Sequence, residues 1–311
     1  MRNLPRLALL LLLALLMSSG SGIGRTKNSL KDVFAASKIQ KIAFLVSRWK
    51  FGLGHDWIHE IYAITADDPS AKLIQPENSL NPAWSPDGSK LAFTSFKPGK
   101  PSELYVANAD GSNRIQLTTS KYGSRVECVS WSPDGERLAF SNWADKIAKI
   151  FVIKADGSDM RVVTEGGCPK WSPDGKQLAF TRLNFGAKPR RSNVWIINVD
   201  GSEARALTDD KSASELPEWL PDGRGVIFAS NRDGNFAIYS SDLAGTVRLV
   251  LRSDKYSLSY PNLSPDGKVL VCQLQIEREQ PSVAVIPLEG ANKKPVYVSE
   301  PGLQPSVVWK R

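Results

Sequence analysis

The sequence predicts an all-β protein, a six-bladed β-propeller with four antiparallel strands in each blade. Three observations support this fold class: a five-residue motif that recurs along the chain, short apolar runs in a fixed order after each copy, and a final apolar run near the C-terminus with nothing after it. A repeat of about 45 residues built from four short strands is typical of a propeller blade. The 311 residues, 41% of them apolar and 9% aromatic, are enough for one large core.

The recurring motif is Trp-Ser-Pro-Asp-Gly. It occurs at 84–88, 131–135 and 171–175, with variants at 219–223 and 263–267, so the copies start 47, 40, 48 and 44 residues apart. Pro sets φ at the second position of a tight turn, and Gly accepts the left-handed conformation that the turn requires. We therefore expect each motif to end a first strand, A, and to turn into a second strand, B.

The segments after each motif predict strands B, C and D. In the first full repeat, apolar runs at 91–94, 104–106 and 115–118 are separated by a variable loop and by the dipeptide Asp-Gly at 110–111. The runs are too short for helices and are bounded by turn residues. Asp-Gly suits the hairpin between strands C and D.

The two ends of the repeat region complement each other. Residues 41–75 contain runs like B, C and D without a preceding motif, whereas 304–309 resemble a strand A that stands alone. Trp309 lies 46 residues after Leu263, in step with the series. We therefore expect the C-terminal strand to complete blade one, which closes the ring and leaves no open sheet edge between the first and last blades.

The first 24 residues have the order of a secretory signal peptide: a basic start with Arg2 and Arg6, an apolar run at 7–17, and small residues at 18–24. The apolar run is shorter than the about 20 residues that span a bilayer; the alternative is a retained N-terminal anchor. We expect a signal peptide at 1–24, a linker or short helix at 25–38 and the propeller at 39–311. Cleavage would lower the net charge from +8 to +6. We expect a periplasmic or secreted protein with no later transmembrane segment.

The five motif copies, in register, resemble the repeat of TolB-type propellers, also called the WD40-like or PD40 repeat. The resemblance covers about 39–311 and implies a six-bladed propeller in a bacterial periplasm, with an envelope protein as partner. TolB itself carries an additional N-terminal α/β domain; because only about 14 residues separate the signal from blade one, we expect that domain to be absent. Similar blades form the non-catalytic propeller of prolyl-oligopeptidase-like enzymes.

One face of the ring is the expected binding surface. The constant A–B and C–D turns share one face, and the B–C and D–A loops share the opposite one, which we call the variable face. Four predicted B–C loops, at 48–58, 95–102, 141–148 and 182–193, hold three Trp and nine Lys or Arg against two Asp. The candidate binding residues are Arg48, Trp49, Trp57, Trp143, Arg182, Arg190, Arg191 and Arg232.

Aromatic side chains interleaved with cations favour an envelope protein or an anionic or glycan ligand as the partner. The alternative is that these are solvated loops whose aromatic residues pack on neighbouring blades. Arg232 lies in the segment Ser-Asn-Arg-Asp-Gly-Asn at 230–235, which resembles a common B–C loop of the family.

Other functional classes find less support. The isoelectric point of about 9.3 would suit a nucleic-acid-binding protein, but the export signal and the missing motifs argue against one. His55 and His59 are weak metal candidates, because a metal site needs further ligands. The sequence has no Gly-x-Ser-x-Gly nucleophile motif. We expect no catalytic residue, no metal, no other cofactor and no nucleic-acid partner.

The cysteines Cys128 and Cys168 each lie three residues before a repeat Trp, in consecutive blades. Export permits a disulfide, yet equivalent positions on neighbouring blades are expected to be too far apart to bridge. The sequence therefore favours two unbonded thiols and leaves the disulfide as the alternative.

These observations together predict an exported, non-catalytic propeller that acts, as a monomer, as a protein-interaction or scaffold module in the cell envelope. The alternative is a glycan-binding or glycan-degrading propeller, a hydrolase or lyase, that uses the same variable face.

Overall fold

The computed structural model describes residues 39–50, 56–65, 67–68, 72–75, 78–97, 99–119, 125–144, 147–184, 191–209, 211–275, 282–288, 296–297 and 306–309. The predicted signal peptide at 1–24 and linker at 25–38 lie outside these ranges. The regular elements within them are all strands. Over the same ranges, no helical segment has the length and apolar character that crossing a bilayer demands.

The described strands form six sheets of four. Blade 1 contains β1 (Ile39–Lys50), β2 (Asp56–Thr65) and β3 (Lys72–Gln75), and blade 2 contains β4 (Ser79–Trp84), β5 (Lys90–Ser95), β6 (Glu103–Asn108) and β7 (Ile115–Gln116). Blade 3 contains β8 (Arg125–Trp131), β9 (Arg137–Ala144), β10 (Ile147–Lys154) and β11 (Arg161–Glu165), and blade 4 contains β12 (Gly167–Trp171), β13 (Gln177–Asn184), β14 (Arg191–Asn198) and β15 (Arg205–Ala206). Blade 5 contains β16 (Ser214–Trp219), β17 (Gly225–Ser230), β18 (Ala237–Asp242) and β19 (Val247–Leu251), and blade 6 contains β20 (Ser257–Leu263), β21 (Val269–Gln275), β22 (Ser282–Pro287) and β23 (Val296–Tyr297). The last strand is β24 (Ser306–Trp309).

Strand order confirms the predicted propeller and its closure. Blades 2 to 6 follow the chain from A to D with antiparallel neighbours, whereas in blade 1 the C-terminal β24 takes the A position beside β1. Ala43 lies opposite Ser306 there, and Ile42 lies opposite Val307. The A strands of successive blades contact one another from β4 through β8, β12 and β16 to β20. These strands therefore form the inner layer of the ring.

An aromatic pair fills the core of each of blades 2 to 5. The buried members, on strand B, are Phe93, Phe140, Phe180 and Phe228. Each lies 5.5–6.5 Å, between ring centroids, from an aromatic residue of strand C. In blade 6 the corresponding residues are Cys272 and Ala284, and burial raises the pKa of the Cys272 thiol to about 12. Blade 6 thus lacks the ring pair that fills blades 2 to 5.

The repeat Trp residues of strand A pack between blades. Trp84, Trp131, Trp171 and Trp219 are all buried. The Nε1 atom of Trp131 donates to the carbonyl of Ala83 in blade 2 at 2.9 Å, and that of Trp219 donates to Lys170 of blade 4 at 3.0 Å. These hydrogen bonds tie blade 3 to blade 2 and blade 5 to blade 4.

The Ser-Pro-Asp-Gly segments form the predicted A–B turns. In the first, the amide of Gly88 donates to the carbonyl of Ser85 at 2.8 Å, and Gly88 has a φ of 68°. The hydroxyl of Ser85 donates to the carboxylate of Asp87 at 2.6 Å. This hydrogen bond, followed by those from Ser89, lowers the pKa of Asp87 to about 2.

Strands B and C extend further onto the variable face than the sequence predicts. Arg48, Trp49 and Trp57 lie in β1 and β2 and not in a loop at 48–58, and the predicted loops at 141–148 and 182–193 also begin and end in strand. Cross-strand pairing explains the difference: Trp49 lies opposite Trp57, and Trp143 lies opposite Ala148. Aromatic residues favour such paired strand positions.

Candidate functional site

A bulge interrupts each A strand of blades 2 to 6, where its register against strand B shifts. At the bulge, three residues before the repeat Trp or Leu263, one residue has a left-handed φ between 51° and 56°: Asn81, Cys128, Cys168, Leu216 and Tyr260. A bulge re-aims the strand and its side chain. The five bulges therefore set the directions of side chains along the inner layer of the ring.

Two of these bulge residues are covalently joined. Cys128 of blade 3 and Cys168 of blade 4 form a disulfide, with Cα atoms 4.6 Å apart. The expectation that equivalent positions on neighbouring blades are too distant was wrong. These positions lie on the innermost strands, where adjacent blades converge, and the matching bulges bring the two strands to bonding distance.

A cavity of about 490 Å³ opens on the variable face beside this disulfide. Its walls come from the start of strand A, the end of B, the start of C and the end of D in blade 3, and from the start of A and the end of B in blade 4. Strand A of blade 5 adds Glu215 and Leu216, and strand A of blade 6 adds Tyr260. Its apolar lining residues are Trp143, Ile147, Ala148, Leu183, Leu216 and the ring of Tyr260. Its charged lining residues are Arg125, Glu127, Glu165, Arg182 and Glu215.

A second cavity, of about 480 Å³, lies on the opposite face between the A–B turns of blades 2 and 3. It is lined by Ser85, Pro86, Asp87 and their counterparts Pro133 and Asp134. These residues belong to the constant motif, so this cavity follows from the repeat. The cavity on the variable face is lined by residues that differ between blades, and it is the better candidate for a specific site.

Both arginines of the variable-face cavity have partners inside the protein. The guanidinium of Arg125 lies 2.9 Å from the carboxylate of Glu127 and 5.8 Å from the centre of the Trp143 ring. The guanidinium of Arg182 lies 4.2 Å from the centre of the Trp195 ring and donates to the hydroxyl of Thr164 at 3.1 Å. These contacts hold both cations against the cavity wall.

The structure brings together two of the predicted binding residues, Trp143 and Arg182, in this one cavity. Arg191 starts β14 opposite Asn184 and is half-buried. The side chains of Arg48, Trp49 and Trp57, and the whole of Arg190, lie outside the described part of the structure.

Arg232 is engaged within blade 5. Its guanidinium lies 5.0 Å from the centre of the Tyr239 ring and 5.8 Å from that of Phe228. It also donates to the hydroxyls of Ser230 at 3.4 Å and Ser214 at 3.5 Å. These contacts make Arg232 a packing residue of the blade.

Sequence reasoning missed the acidic side of the cavity. Glu127 and Glu215 each lie four residues before a repeat Trp, where the other full blades have Leu80, Gly167 and Ser259. The sequence did contain a signal for these residues, because the position four residues before the repeat Trp varies from blade to blade. A residue that only some blades carry is not required by the blade structure.

The weak metal candidates gain no support from the described residues. His59 is half-buried in β2, and burial lowers the pKa of its imidazole. His55 lies outside the described residues. Within the described ranges, no group of three or more His, Cys, Asp or Glu is arranged to hold a metal ion.

The closed ring of six four-stranded sheets makes this chain a β-propeller protein. It belongs to the PD40 family, described as the TolB beta propeller domain, whose family model matches residues 66–181 and 103–308.

Individual relatives agree with this membership. The Tol-Pal system protein TolB of Bordetella pertussis is 32% identical over 189 residues, which are 60% of this chain and 33% of the relative. The structure of TolB from Acinetobacter baumannii has a TM-score of 0.57 at 17% identity, over 90% of this chain and 74% of that chain. The structure of the acylaminoacyl peptidase of Pyrococcus horikoshii has a TM-score of 0.56 at 15% identity, over 83% of this chain and 47% of that chain. The two structural likenesses show the fold alone, and this chain spans about a third of the length of the TolB relative.

Proposed function

We propose that this protein is an exported protein-interaction module of the cell envelope, and that its partner binds the variable face around Trp143. The family membership supports an envelope interaction role, and the apolar run at 7–17 between basic and small residues supports export to the periplasm or beyond. The proposal includes removal of residues 1–24 and a monomeric propeller.

The observation that carries this proposal is the cavity on the variable face. It combines an aromatic ring, Trp143, with apolar and charged groups from blades 3 to 6, and its volume of about 490 Å³ is ample for side chains of a partner. Aromatic and arginine side chains at the centre of a concave surface are the residues that most often dominate protein recognition.

The test is site-specific cross-linking in the living envelope. A photoreactive amino acid is placed at Trp143, and in a second variant at Glu136, which is exposed in the A–B turn on the opposite face of the same blade. We expect a discrete cross-linked product from position 143 and none from position 136, with the partner identified by mass spectrometry. Equal products from both positions, or none from position 143, would contradict the proposal.

A further inference from the structure

We propose that the variable-face cavity, which is lined by residues of blades 3 to 6, takes a basic side chain, Lys or Arg, from an extended segment of the partner polypeptide. This inference rests on the proposed function and specifies the chemistry that the partner must present. It differs from the expectation of an anionic ligand, which the cationic composition of the predicted loops suggested.

The charge of the cavity wall is the first argument. The whole chain carries a net charge of +8, yet among the described side chains that line this cavity there are three carboxylates and two guanidiniums. Glu165 lies at the outer end of β11 and is exposed, and it forms no ion pair within the described residues. A local negative charge on a positive protein selects a cationic group at this point.

The positions of the two arginines are the second argument. Arg125 is held by the carboxylate of Glu127, and Arg182 is held by the ring of Trp195 and the hydroxyl of Thr164. An anion entering the cavity would have to draw these guanidiniums away from their present partners. A cation would meet Glu165 without disturbing either contact.

The shape and lining of the cavity are the third argument. Trp143, Ile147 and Leu216 supply an apolar wall for the methylene groups of a long side chain, and Glu165 lies at the rim. A Lys or Arg side chain matches this arrangement of an apolar wall and a carboxylate, because its methylene groups are apolar and its charge is at the tip. The rings of Trp143 and Tyr260 offer additional attraction to a cation.

Gly167, the second of two consecutive glycines, keeps the entrance clear. Gly166 and Gly167 lie between Glu165 and Cys168 and line the cavity without side chains. A Cβ on Gly167 would meet only the hydroxyl oxygen of Ser141, at 4.0 Å. The space over Gly167 is therefore open and leaves room for the backbone of an extended segment.

The test uses short synthetic peptides and the full chain. The probe is a fluorescently labelled Ala-Leu-Arg-Leu-Ala with blocked ends, compared with peptides that carry norleucine or Glu in place of Arg, and affinity is measured by anisotropy. The protein variants are Glu165→Gln and, as the matched control on the opposite face of blade 3, Glu136→Gln. Free arginine is added as a competitor, to separate recognition of a peptide from recognition of the small molecule.

We expect the Arg peptide to bind about tenfold more tightly than the norleucine and Glu peptides, and E165Q to weaken it about fivefold while E136Q does not. Equal binding of the Arg and Glu peptides, preference for Glu, or equal effects of the two variants would overturn the inference. If free arginine displaces the Arg peptide at a concentration as low as the peptide's own dissociation constant, the cavity recognises the small molecule, and the inference that its occupant is a polypeptide segment is overturned. If cross-linking at position 143 succeeds and the Arg peptide fails, the proposed function stands and this inference alone is lost.

Discussion

Cys128 and Cys168 occupy the same position in consecutive repeats, and they are bonded to each other across the boundary between blades 3 and 4. The bond closes a loop with a sequence separation of 40 residues and adjoins the variable-face cavity, which Cys168 lines. It therefore joins two blades at the edge of the candidate site.

We expect the double variant Cys128→Ser with Cys168→Ser to lower the free energy of unfolding by about 2–4 kcal/mol, because the cross-link restricts the unfolded chain. Guanidinium unfolding, with and without dithiothreitol, measures the effect. The reductant should destabilise the native protein and leave the double variant unchanged. Coincident curves for the two proteins under both conditions would contradict this expectation.

The indole hydrogen bond between blades can be isolated by a pair of matched substitutions. The Nε1 atom of Trp131 donates to Ala83, whereas that of Trp171 is buried without an acceptor among the described residues. We expect Trp131→Phe to lower the free energy of unfolding by about 1 kcal/mol more than Trp171→Phe, since only the first loses a hydrogen bond. Chemical unfolding of both variants provides the comparison, and equal losses would show that the inter-blade bond contributes nothing.

The A–B turn of blade 2 is expected to make stability depend on pH. The pKa of Asp87 falls from 3.8 in the unfolded chain to about 2 in the folded protein, so its contribution is complete above the higher value and is lost as the pH falls through the lower one. The stability gap between the native protein and Asp87→Asn should therefore be constant above about pH 5 and close towards about pH 2. Urea midpoints across this range measure the gap.

Blade 5 supplies the control for that experiment. Its turn has Leu220 where the others have Ser, so Asp222 lacks the hydroxyl donor that Asp87 receives. Asp222→Asn should cost less stability than Asp87→Asn at neutral pH. A larger cost at Asp222 would assign the stabilisation to something other than the serine hydroxyl.

Trp143 and Arg232 were both predicted to bind the partner, and the structure gives them different surroundings: Trp143 lines the variable-face cavity, whereas Arg232 packs on Tyr239 of blade 5. We expect Arg232→Ala to lower stability by about 1 kcal/mol, through lost contacts with Tyr239 and the serine hydroxyls, and to leave partner cross-linking unchanged. Trp143→Ala should instead reduce partner recovery and leave the thermal midpoint nearly unchanged. Thermal unfolding measures stability, and recovery of the partner cross-linked to a photoreactive group at Ile147 measures binding. A loss of partner recovery in Arg232→Ala, or a loss of stability without a loss of recovery in Trp143→Ala, would contradict this expectation.

Substitution of the two glycines beside the cavity, Gly166 and Gly167, should have different effects. A Cβ on Gly166 would lie 2.5 Å from Cδ2 of the buried Phe180 ring, at a φ of 146°, so Gly166→Ala should cost about 2 kcal/mol or more. Gly167→Ala should fold normally and weaken binding of the Arg peptide, because the new methyl group occupies the open space. Unfolding midpoints and peptide anisotropy report the two effects, and a stable Gly166→Ala variant would contradict the packing argument.

The repeat could be predicted from the sequence because each blade needs the same turn residues and the same large aromatic residue at equivalent positions. Pro and Gly fix the A–B turn, and the repeat Trp fills the space between blades, so these residues recur wherever the structure recurs. The join between β24 and β1 could also be predicted, since an isolated strand A and a blade without one must complete each other.

The site could be predicted only in outline, because it depends on how neighbouring blades converge. The variable face and two of its residues, Trp143 and Arg182, follow from loop positions. The disulfide does not, because the separation of Cys128 from Cys168 is set by bulges in the inner strands. The acidic wall does not either, because it is assembled from Glu127 and Glu165 of blade 3 and Glu215 of blade 5. The packing of Arg232 within blade 5 could not be predicted, because its partner Tyr239 is seven residues away and reaches it only across the hairpin.

The join between β24 and β1 imposes an order on biogenesis. A chain that is synthesised from its N-terminal end presents β1, β2 and β3 long before residues 306–309 arrive. Until then β1 has an open edge that another chain could occupy, and the sheets remain a linear row. The arrival of the last four-residue strand is therefore the event that converts a sequential assembly into one closed body, and it ends the interval in which the emerging chain is vulnerable to aggregation.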